Sequence, residues 1–300
     1  VFYDNVQVDL HGQSTTQPQF LKKSFNFDAN SGLKFEFDGP LGEVSDFNLL
    51  TNFTDKTYYR NTMAYELYTA AGGPGLLAYS TVVYRNGAYY GMYDLVEEAQ
   101  SEYLERVGLD PDGALYKMGN GFNSTTFEVE KKTRKTEDSS DLQALIDSAW
   151  LSTNQGQIWV ADNLDLASWA NYFAIQTLIG NRDYGQKNHY LYRDTNLTEQ
   201  WSILPWDMDL SFGHQWNPSE NYFDDDLIWN DGLYVYMGGN HLMDRLIAYP
   251  QFTQMYTRRL RSLIDEFYGP VGQNIASSDV VLRISDLMAD IGAHATIDRN

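Results

Sequence analysis

Gly180-Asn181-Arg182-Asp183-Tyr184-Gly185-Gln186-Lys187-Asn188 lies between a strongly apolar helical pattern and a strand pattern, and it is the densest run of reactive residue types in the chain. An Asp followed five residues later by an Asn, in a short loop, has a physical use. The carboxylate can accept a proton from an attacking hydroxyl or orient it, and the neutral amide carbonyl can ligate a cation without adding charge. Next comes a strand pattern, His189 to Arg193, which turns through Asp194 to Glu199 and returns as Trp201-Ser202-Ile203-Leu204-Pro205-Trp206. A hairpin of this kind sets Asp207 or Asp209, of Asp207-Met208-Asp209-Leu210-Ser211-Phe212-Gly213, beside the Asn188 loop. Oxygen donors without His or Cys suit a hard ion such as Mg²⁺ or Mn²⁺ that keeps several positions for phosphate oxygens. Asp and Asn are also the commonest loop and cap residues, so the spacing alone carries little; the weight lies in the ordered combination.

Outward from this block, the periodicity separates two regions. Val1 to Leu10 and Phe20 to Phe37 alternate as strands, Asp55 to Ala71 reads as a helix stopped by Gly72-Gly73-Pro74, and Ala78 to Tyr84 and Ala88 to Val96 form a hairpin about Asn86-Gly87. A short helix from Glu97 to Val107 leads away. The polar stretch Asn120 to Ser140, with Lys131-Lys132-Thr133-Arg134-Lys135, reads as a solvated loop, or else as a basic docking patch. From Asp141 the pattern is mainly helical. The strongest helix runs from an N-cap at Asn163 to Ile179, and others cover Phe252 to Phe267 and Val280 to Ile291. The expected architecture is α+β, with a β-rich lobe over residues 1–97 and a mainly helical lobe over 98–300.

Composition narrows the function further. Of 300 residues 43% are hydrophobic and 15% aromatic, enough for a substantial core. With 41 acidic against 21 basic residues the net charge is −20, which disfavours nucleic acid and anionic membranes as partners. The absence of cysteine removes disulfides, thiolate metal sites and a Cys nucleophile. No apolar run approaches the ~18 residues of a membrane span, and no signal peptide is visible. No His-x-x-x-His pair supports a zinc hydrolase and no Gly-x-Ser-x-Gly elbow supports an acyl-transfer serine. Asp224-Asp225-Asp226 reads as a solvated acidic turn rather than a Ca²⁺ site.

Ile179-Gly-Asn-Arg-Asp183, Asn188-His-Tyr-Leu-Tyr-Arg193 and Leu204-Pro-Trp-Asp-Met-Asp-Leu-Ser-Phe-Gly213 closely resemble the CotH family, the spore-coat protein H type of atypical kinase. Upstream, Leu21-Lys-Lys-Ser-Phe25, Tyr59-Arg60-Asn61, Asn86-Gly-Ala-Tyr-Tyr-Gly-Met-Tyr93 with Glu97, and Gly113-Ala-Leu-Tyr-Lys117 are similar to that family too. The resemblance implies a divergent protein-kinase-like fold. It also implies use of ATP with Mg²⁺ or Mn²⁺, and phosphorylation of Ser or Thr in secreted, cell-surface or spore-coat proteins.

Carried over by position, Asp183 is the catalytic carboxylate. Asn188 and Asp207 hold the metal, with Asp209 a second carboxylate. Either Lys22 or Lys23 meets the nucleotide phosphates. Glu97 either faces adenine or caps the next helix, and Trp201 either stacks on adenine or is core. The sequence departs from ordinary kinases in lacking a Gly-x-Gly-x-x-Gly loop; His11-Gly12-Gln13-Ser14-Thr15 is the nearest candidate. Arg182 stands where such kinases have His, and Asp207 lacks an adjacent Phe-Gly. Two rival readings use the same residues. One is a non-catalytic surface or coat protein on this scaffold; the other is a metal-dependent hydrolase built on Asp207 and Asp209. AMP transfer on the same scaffold is a further variant of the enzyme reading.

Overall fold

The computed structural model describes residues 1–181, 183–217 and 240–298, so Arg182 and the Asp224–Asp226 run lie outside the described residues. In chain order the elements begin with β1 (Gln7–His11), β2 (Ser24–Asp28), β3 (Phe35–Glu36), β4 (Glu43–Val44), β5 (Asp46–Leu50), α1 (Arg60–Ala70), β6 (Ala78–Arg85), β7 (Ala88–Glu97) and α2 (Ser101–Arg106). They continue with β8 (Ala114–Met118), β9 (Val129–Lys131), α3 (Ser140–Ser148), α4 (Thr153–Asn163), α5 (Leu166–Leu178), β10 (His189–Arg193) and β11 (Trp201–Pro205). Last come α6 (His241–Ala248), α7 (Pro250–Phe267) and α8 (Asp279–Ala295). The fold is a mixture of helices and antiparallel sheets: a five-stranded sheet in the order β1-β2-β5-β7-β6, a four-stranded sheet in the order β11-β10-β8-β9, and the small β3-β4 pair.

Several local expectations hold for reasons visible in the chain. Asn86 and Gly87 have φ of 52° and 78°, the left-handed pair that a two-residue hairpin between β6 and β7 requires. Strand β10 pairs with β11 so that His189 faces Pro205 and Arg193 faces Trp201. Other expectations shift. Asn163 does not cap the strong helix; it closes α4, with its amide donating to the Trp159 carbonyl at 2.9 Å. The cap of α5 is Asp165, which accepts from the Ser168 N–H at 3.2 Å. Asp has the short acceptor side chain that reaches the first-turn amides, and Leu164 between them is extended. Glu97 is the last residue of β7, and α2 starts four residues later.

The region expected to be mainly helical also carries the second sheet, because Gly113 to Lys131 folds back as the β8-β9 hairpin onto β10. The principal apolar core runs from Met63, Tyr65 and Leu67 of α1 to Trp169 and Phe173 of α5 and Phe252 and Tyr256 of α7, continuous across residue 97. Phe173 meets Phe252 edge to face at 5.6 Å, and the Trp169 indole N–H donates to the Trp201 carbonyl at 2.9 Å. The five-stranded sheet has a smaller cluster of its own, with Phe47 stacked on Phe27 at 5.0 Å.

A polar joint connects the two sheets. Glu98, buried just past β7, accepts from the Asn48 amide of β5 and from Lys132 Nζ at 2.6 Å, just past β9. The expected basic patch is therefore not all solvated: Lys132 is buried and paired with Glu98 and Glu130, while Arg134 pairs with Glu137 at the surface. Burial opposes ionisation of Glu98, but Lys117 and Lys132 prevail and hold it down at about 2. Asp46 is less well served. Burial and the neighbouring Glu98 charge push it up to about 7, against the pull of Lys132.

An acid with a raised folded-state value keeps its proton in the native chain after the unfolded chain has lost it. Stability from Asp46 is therefore full below about pH 4 and falls as pH rises toward 7. Asp46→Asn, which can still accept from Gln100, should raise the melting temperature at pH 8 more than at pH 5. The difference corresponds to roughly 2–4 kcal/mol and is readable by calorimetry at the two pH values; an equal effect at both would contradict it.

Candidate active site

The site is assembled at the end of α5. Gly180, at φ 61°, turns the chain out of the helix, with Gly180 N–H donating to Thr177 O at 3.0 Å and Asn181 N–H to Gln176 O at 2.9 Å. This pair of bonds needs a left-handed residue at Gly180. Asn181, buried, donates its amide to Gln176 Oε1 at 2.9 Å and accepts from the Asp183 N–H at 2.9 Å. Asp183 is thereby fixed on the helix end rather than on a free loop. Asn240, which caps α6, donates to the Gly185 carbonyl at 2.8 Å and steadies the far side of the turn.

Asn188 closes the turn at φ 66°, a conformation Asn tolerates, and its amide Nδ2 donates to Asp183 Oδ2 at 2.7 Å. That bond leaves Oδ1 as the atom for a cation. Across the hairpin the Trp206 N–H donates to the Asn188 carbonyl at 3.2 Å, which sets Asp207 beside it. Asp207 also has positive φ, 54°. Helix α1 holds this strained segment: Tyr65 Oη accepts from the Asp207 N–H at 3.2 Å and Asn61 Oδ1 from the Met208 N–H at 3.2 Å. Asp209 Oδ2 accepts from the Thr54 hydroxyl at 2.7 Å.

Asp183, Asn188, Asp207 and Asp209 line one cavity of about 820 Å³. Its walls also include His11, Gly12, Ser14 and Thr15, so the glycine-containing loop singled out from the sequence does border it. Gly12 sits at φ 91°, where a Cβ would come within 2.9 Å of Thr15 Oγ1, so only glycine lets the loop turn this tightly. The electrostatics are those of crowded, dry carboxylates. Burial raises Asp183 to about 6, against Lys187, with Asp207 adding to the rise. Burial raises Asp207 against Lys187 and Lys117, and burial with the Asp207 charge raises Asp209 well above the usual carboxylate range.

Among the described residues no three His, Asp or Glu side chains gather closely enough to hold a metal by themselves. The donor set of Asp207, Asp209 and Asn188 Oδ1 fits a hard divalent ion that takes its remaining ligands from phosphate and water.

The nucleotide-side residues expected from the sequence are not brought to this cavity. Lys22 turns into the five-stranded sheet, where it pairs with Asp298 at 2.8 Å, donates to the Met92 carbonyl and lies 4.6 Å from the Tyr93 ring centre. Lys23 donates to the carbonyls of Thr16 (3.2 Å) and Gln17. Glu97 accepts from Arg106 Nε at 2.8 Å and from the Leu77 N–H at 3.0 Å. Trp201 is 2% exposed against Tyr116, in the core.

Among the described residues the cavity's cations are two that sequence reasoning did not single out for this role, Lys117 of β8 and Lys187. Lys117 Nζ lies 3.8 Å from the Trp206 ring centre. Among the described residues it has no carboxylate within salt-bridge range, and burial lowers its ammonium, with Glu98 opposing. The signal for it was present: Lys117 lies in the Gly113–Lys117 stretch that resembles the family. His11, pushed down to about 4 by burial and by Lys117, is neutral near pH 7.

The cavity thus joins a helix-end Asp, a turn Asn and the two carboxylates that follow the hairpin, with Lys117 and Lys187 on the same wall. The profile of the CotH kinase protein family matches residues 8–270, and the chain belongs to that family. No curated protein matches it. Among solved structures it is similar to the crystal structure of a Helicobacter pylori proinflammatory kinase, CtkA, at 13% identity with a TM-score of 0.31, covering 87% of this chain and 91% of that one.

The mutual repulsion of Asp207 and Asp209 predicts a stabilising substitution. Asp209→Asn, which keeps an acceptor for Thr54, should raise the melting temperature in metal-free buffer by about 2–6 °C, the equivalent of roughly 1–3 kcal/mol. A lower melting temperature in differential scanning calorimetry would show that the pair does not repel.

Proposed function

We propose that this chain is a protein kinase with a divergent two-lobed kinase-like fold. It transfers the γ-phosphoryl group of ATP, with Mg²⁺ or Mn²⁺, to Ser or Thr hydroxyls of secreted, coat or surface proteins. The reading rests on one observation: Asp183 accepts from Asn188 at 2.7 Å while the Trp206 bond to Asn188 sets Asp207 on the same cavity wall. The volume of about 820 Å³ suits a nucleotide.

In this mechanism Asp183, fixed by Asn181 and Asn188, orients the acceptor hydroxyl and takes its proton. Its raised value, about 6, makes it a better proton acceptor than an ordinary Asp while leaving it mostly ionised at neutral pH. A divalent ion at Asp207, Asp209 and Asn188 Oδ1 would neutralise phosphate charge as the transfer proceeds. Lys117 supplies a fixed positive charge for the non-transferred phosphates, and the Gly12–Thr15 loop offers backbone amides and hydroxyls beside it. The net charge of −20 favours basic acceptor proteins.

The test is incubation with γ-³²P-ATP, Mg²⁺ or Mn²⁺ and a broad basic acceptor, beside Asp183→Ala and Asp207→Ala, with α-³²P-ATP in parallel. Metal-dependent γ-label, reduced by at least about 100-fold in both variants, is expected. Label from the α position alone would replace phosphorylation by AMP transfer. No label and no metal-dependent nucleotide binding would leave a non-catalytic member of the family.

A further inference from the structure

Helix α8 lies beyond the segment that the family profile matches, which ends at residue 270, yet it is tied into the five-stranded sheet. Just past it, the Asp298 side chain is 2% exposed. Its Oδ2 accepts from Lys22 Nζ at 2.8 Å and from the Met92 N–H of β7 at 2.6 Å. Burial pushes the Lys22 ammonium down and the bond to Asp298 opposes this, so the two groups depend on each other. Ile291 of α8 packs with Tyr58 and Met92 in a small buried cluster, and the Tyr89 hydroxyl donates to the His294 carbonyl at 3.2 Å. Nearer the start of α8, Arg283 grips Glu66 of α1 through two bonds of 2.7 and 2.8 Å.

The span of chain that α8 packs on also holds the carboxylate segment. Along β7, Met92 and Asp94 are two residues apart and so share a face. Asp94 accepts from the Asn52 amide at 3.0 Å and is hydrogen-bonded by Asn61 as well. Asn61 Oδ1 in turn accepts the Met208 N–H at 3.2 Å, and the Thr54 hydroxyl donates to Asp209 at 2.7 Å. Between Thr54 and Asn61 lies Tyr58, at φ 59°, an unfavourable conformation for a bulky residue. Its carbonyl takes the Ser80 hydroxyl at 2.6 Å. Residues 52–61 are thus a short strained span, with α8 packed on Tyr58 and the Asp207–Asp209 segment hung on Thr54 and Asn61.

We infer that α8 and Asp298 form a brace that fixes the Asp207–Asp209 segment through residues 52–61, which makes Asp298 and Ile291 positioning residues for the divalent cation. The cation belongs to the kinase reading above, and this role rests on it. Two close carboxylates move apart when their supports loosen, and a cation must then reassemble them as it binds. Loss of the brace therefore appears as weaker cation binding and a looser Asp207–Met208 backbone, not as lost chemistry once the cation is saturating. A helix that merely covered apolar surface would change the folded fraction and leave that segment alone.

The experiment compares wild type, Asp298→Ala, Asp298→Asn and Ile291→Ala. Mn²⁺ binding is measured by electron paramagnetic resonance, hydrogen exchange is followed at the Asp207 and Met208 amides, and Mn²⁺ is titrated in the γ-³²P-ATP assay. Asp298→Ala should weaken Mn²⁺ binding by about five- to tenfold and speed exchange at those two amides by about tenfold or more, with the β10–β11 ladder unchanged. Half-maximal activity should need correspondingly more Mn²⁺, while kcat at saturating Mn²⁺ stays within about threefold of wild type. Asp298→Asn keeps an acceptor and should weaken Mn²⁺ binding by less than about threefold. Ile291→Ala leaves the polar bonds in place and should move the same readouts in the same direction, so it carries the test if Asp298→Ala does not fold. Unchanged Mn²⁺ binding and exchange in the folded variants, or a lower kcat with an unaltered Mn²⁺ requirement, overturns the brace and leaves the kinase reading standing. A wild type without turnover overturns the kinase reading alone, because the exchange comparison decides the brace without it.

Discussion

Three carboxylates held together in a poorly solvated cleft are the constraint around which the rest of this molecule is arranged. Asp183, Asp207 and Asp209 are each raised by burial, and the Asp207 charge adds to the rise of both others. Unpaired charges of one sign in low dielectric repel strongly, so such a cluster opposes folding unless other groups hold it. The holding groups come from the length of the chain. Thr54 grips Asp209, Asn61 and Tyr65 of α1 grip the backbone at Met208 and Asp207, and Asn181 and Asn188 grip Asp183. Two positive-φ residues, Asn188 and Asp207, add backbone strain at the same place. A cation and an anionic substrate that together relieve the repulsion would explain why a fold keeps an arrangement that costs it stability.

The geometry then depends on register. His189 opposite Pro205 is what makes Asn188 and Trp206 the next pair, and hence Asp207 the neighbour of the turn. A slip of one residue would carry Asp207 past Asn188 and turn the buried Tyr190 and Leu204 toward the wrong face. Pairing of β10 with β8 adds Lys117 to the same floor, because Tyr190 faces Lys117 across the ladder. The Glu98–Lys132 joint links this sheet to the five-stranded one, so the loop at Gly12 and the turn at Asp183 are held across a common cavity.

How much of this is legible in the sequence follows from the sequence separation of the partners. The meeting of Asp183, Asn188 and Asp207 needs only a helix end and one adjacent hairpin, and both are local patterns that the order of residues displays. The Asn86-Gly87 turn is legible for the same reason. Alternation along Lys22-Lys23 gives opposite faces but not what packs on either. The partner of Lys22 is Asp298, 276 residues away at the other end of the chain, and no local pattern announces it. Lys117 is hidden in the same way, since its place at the site depends on β8 pairing with β10, a strand far along the chain. The Lys131–Lys135 run shows the converse error: a cluster of charges looks solvated, yet Lys132 is drawn inside because Glu98 is already there. Asn163 and Asp165 are both good caps, and α4 decides between them by taking Asn163 into its last turn.

The net charge of −20 stands at odds with the nucleotide substrate proposed above, and screening resolves it. Exposed charges act over about one Debye length, roughly 8 Å in physiological salt, so the surface carboxylates contribute little inside the cleft. Within it the balance is local: Lys117 and Lys187 against Asp183, Asp207, Asp209, Glu128 and Glu130 among the described residues, with His11 neutral. Carboxyl groups outnumber cations on the described wall, and an incoming nucleotide would add to the imbalance. A divalent cation would offset part of that excess, which is why the kinase reading proposed above brings polyphosphate in with its metal. In that reading protonation of Asp183 would remove one carboxylate charge from the crowded wall as phosphate charge builds beside it.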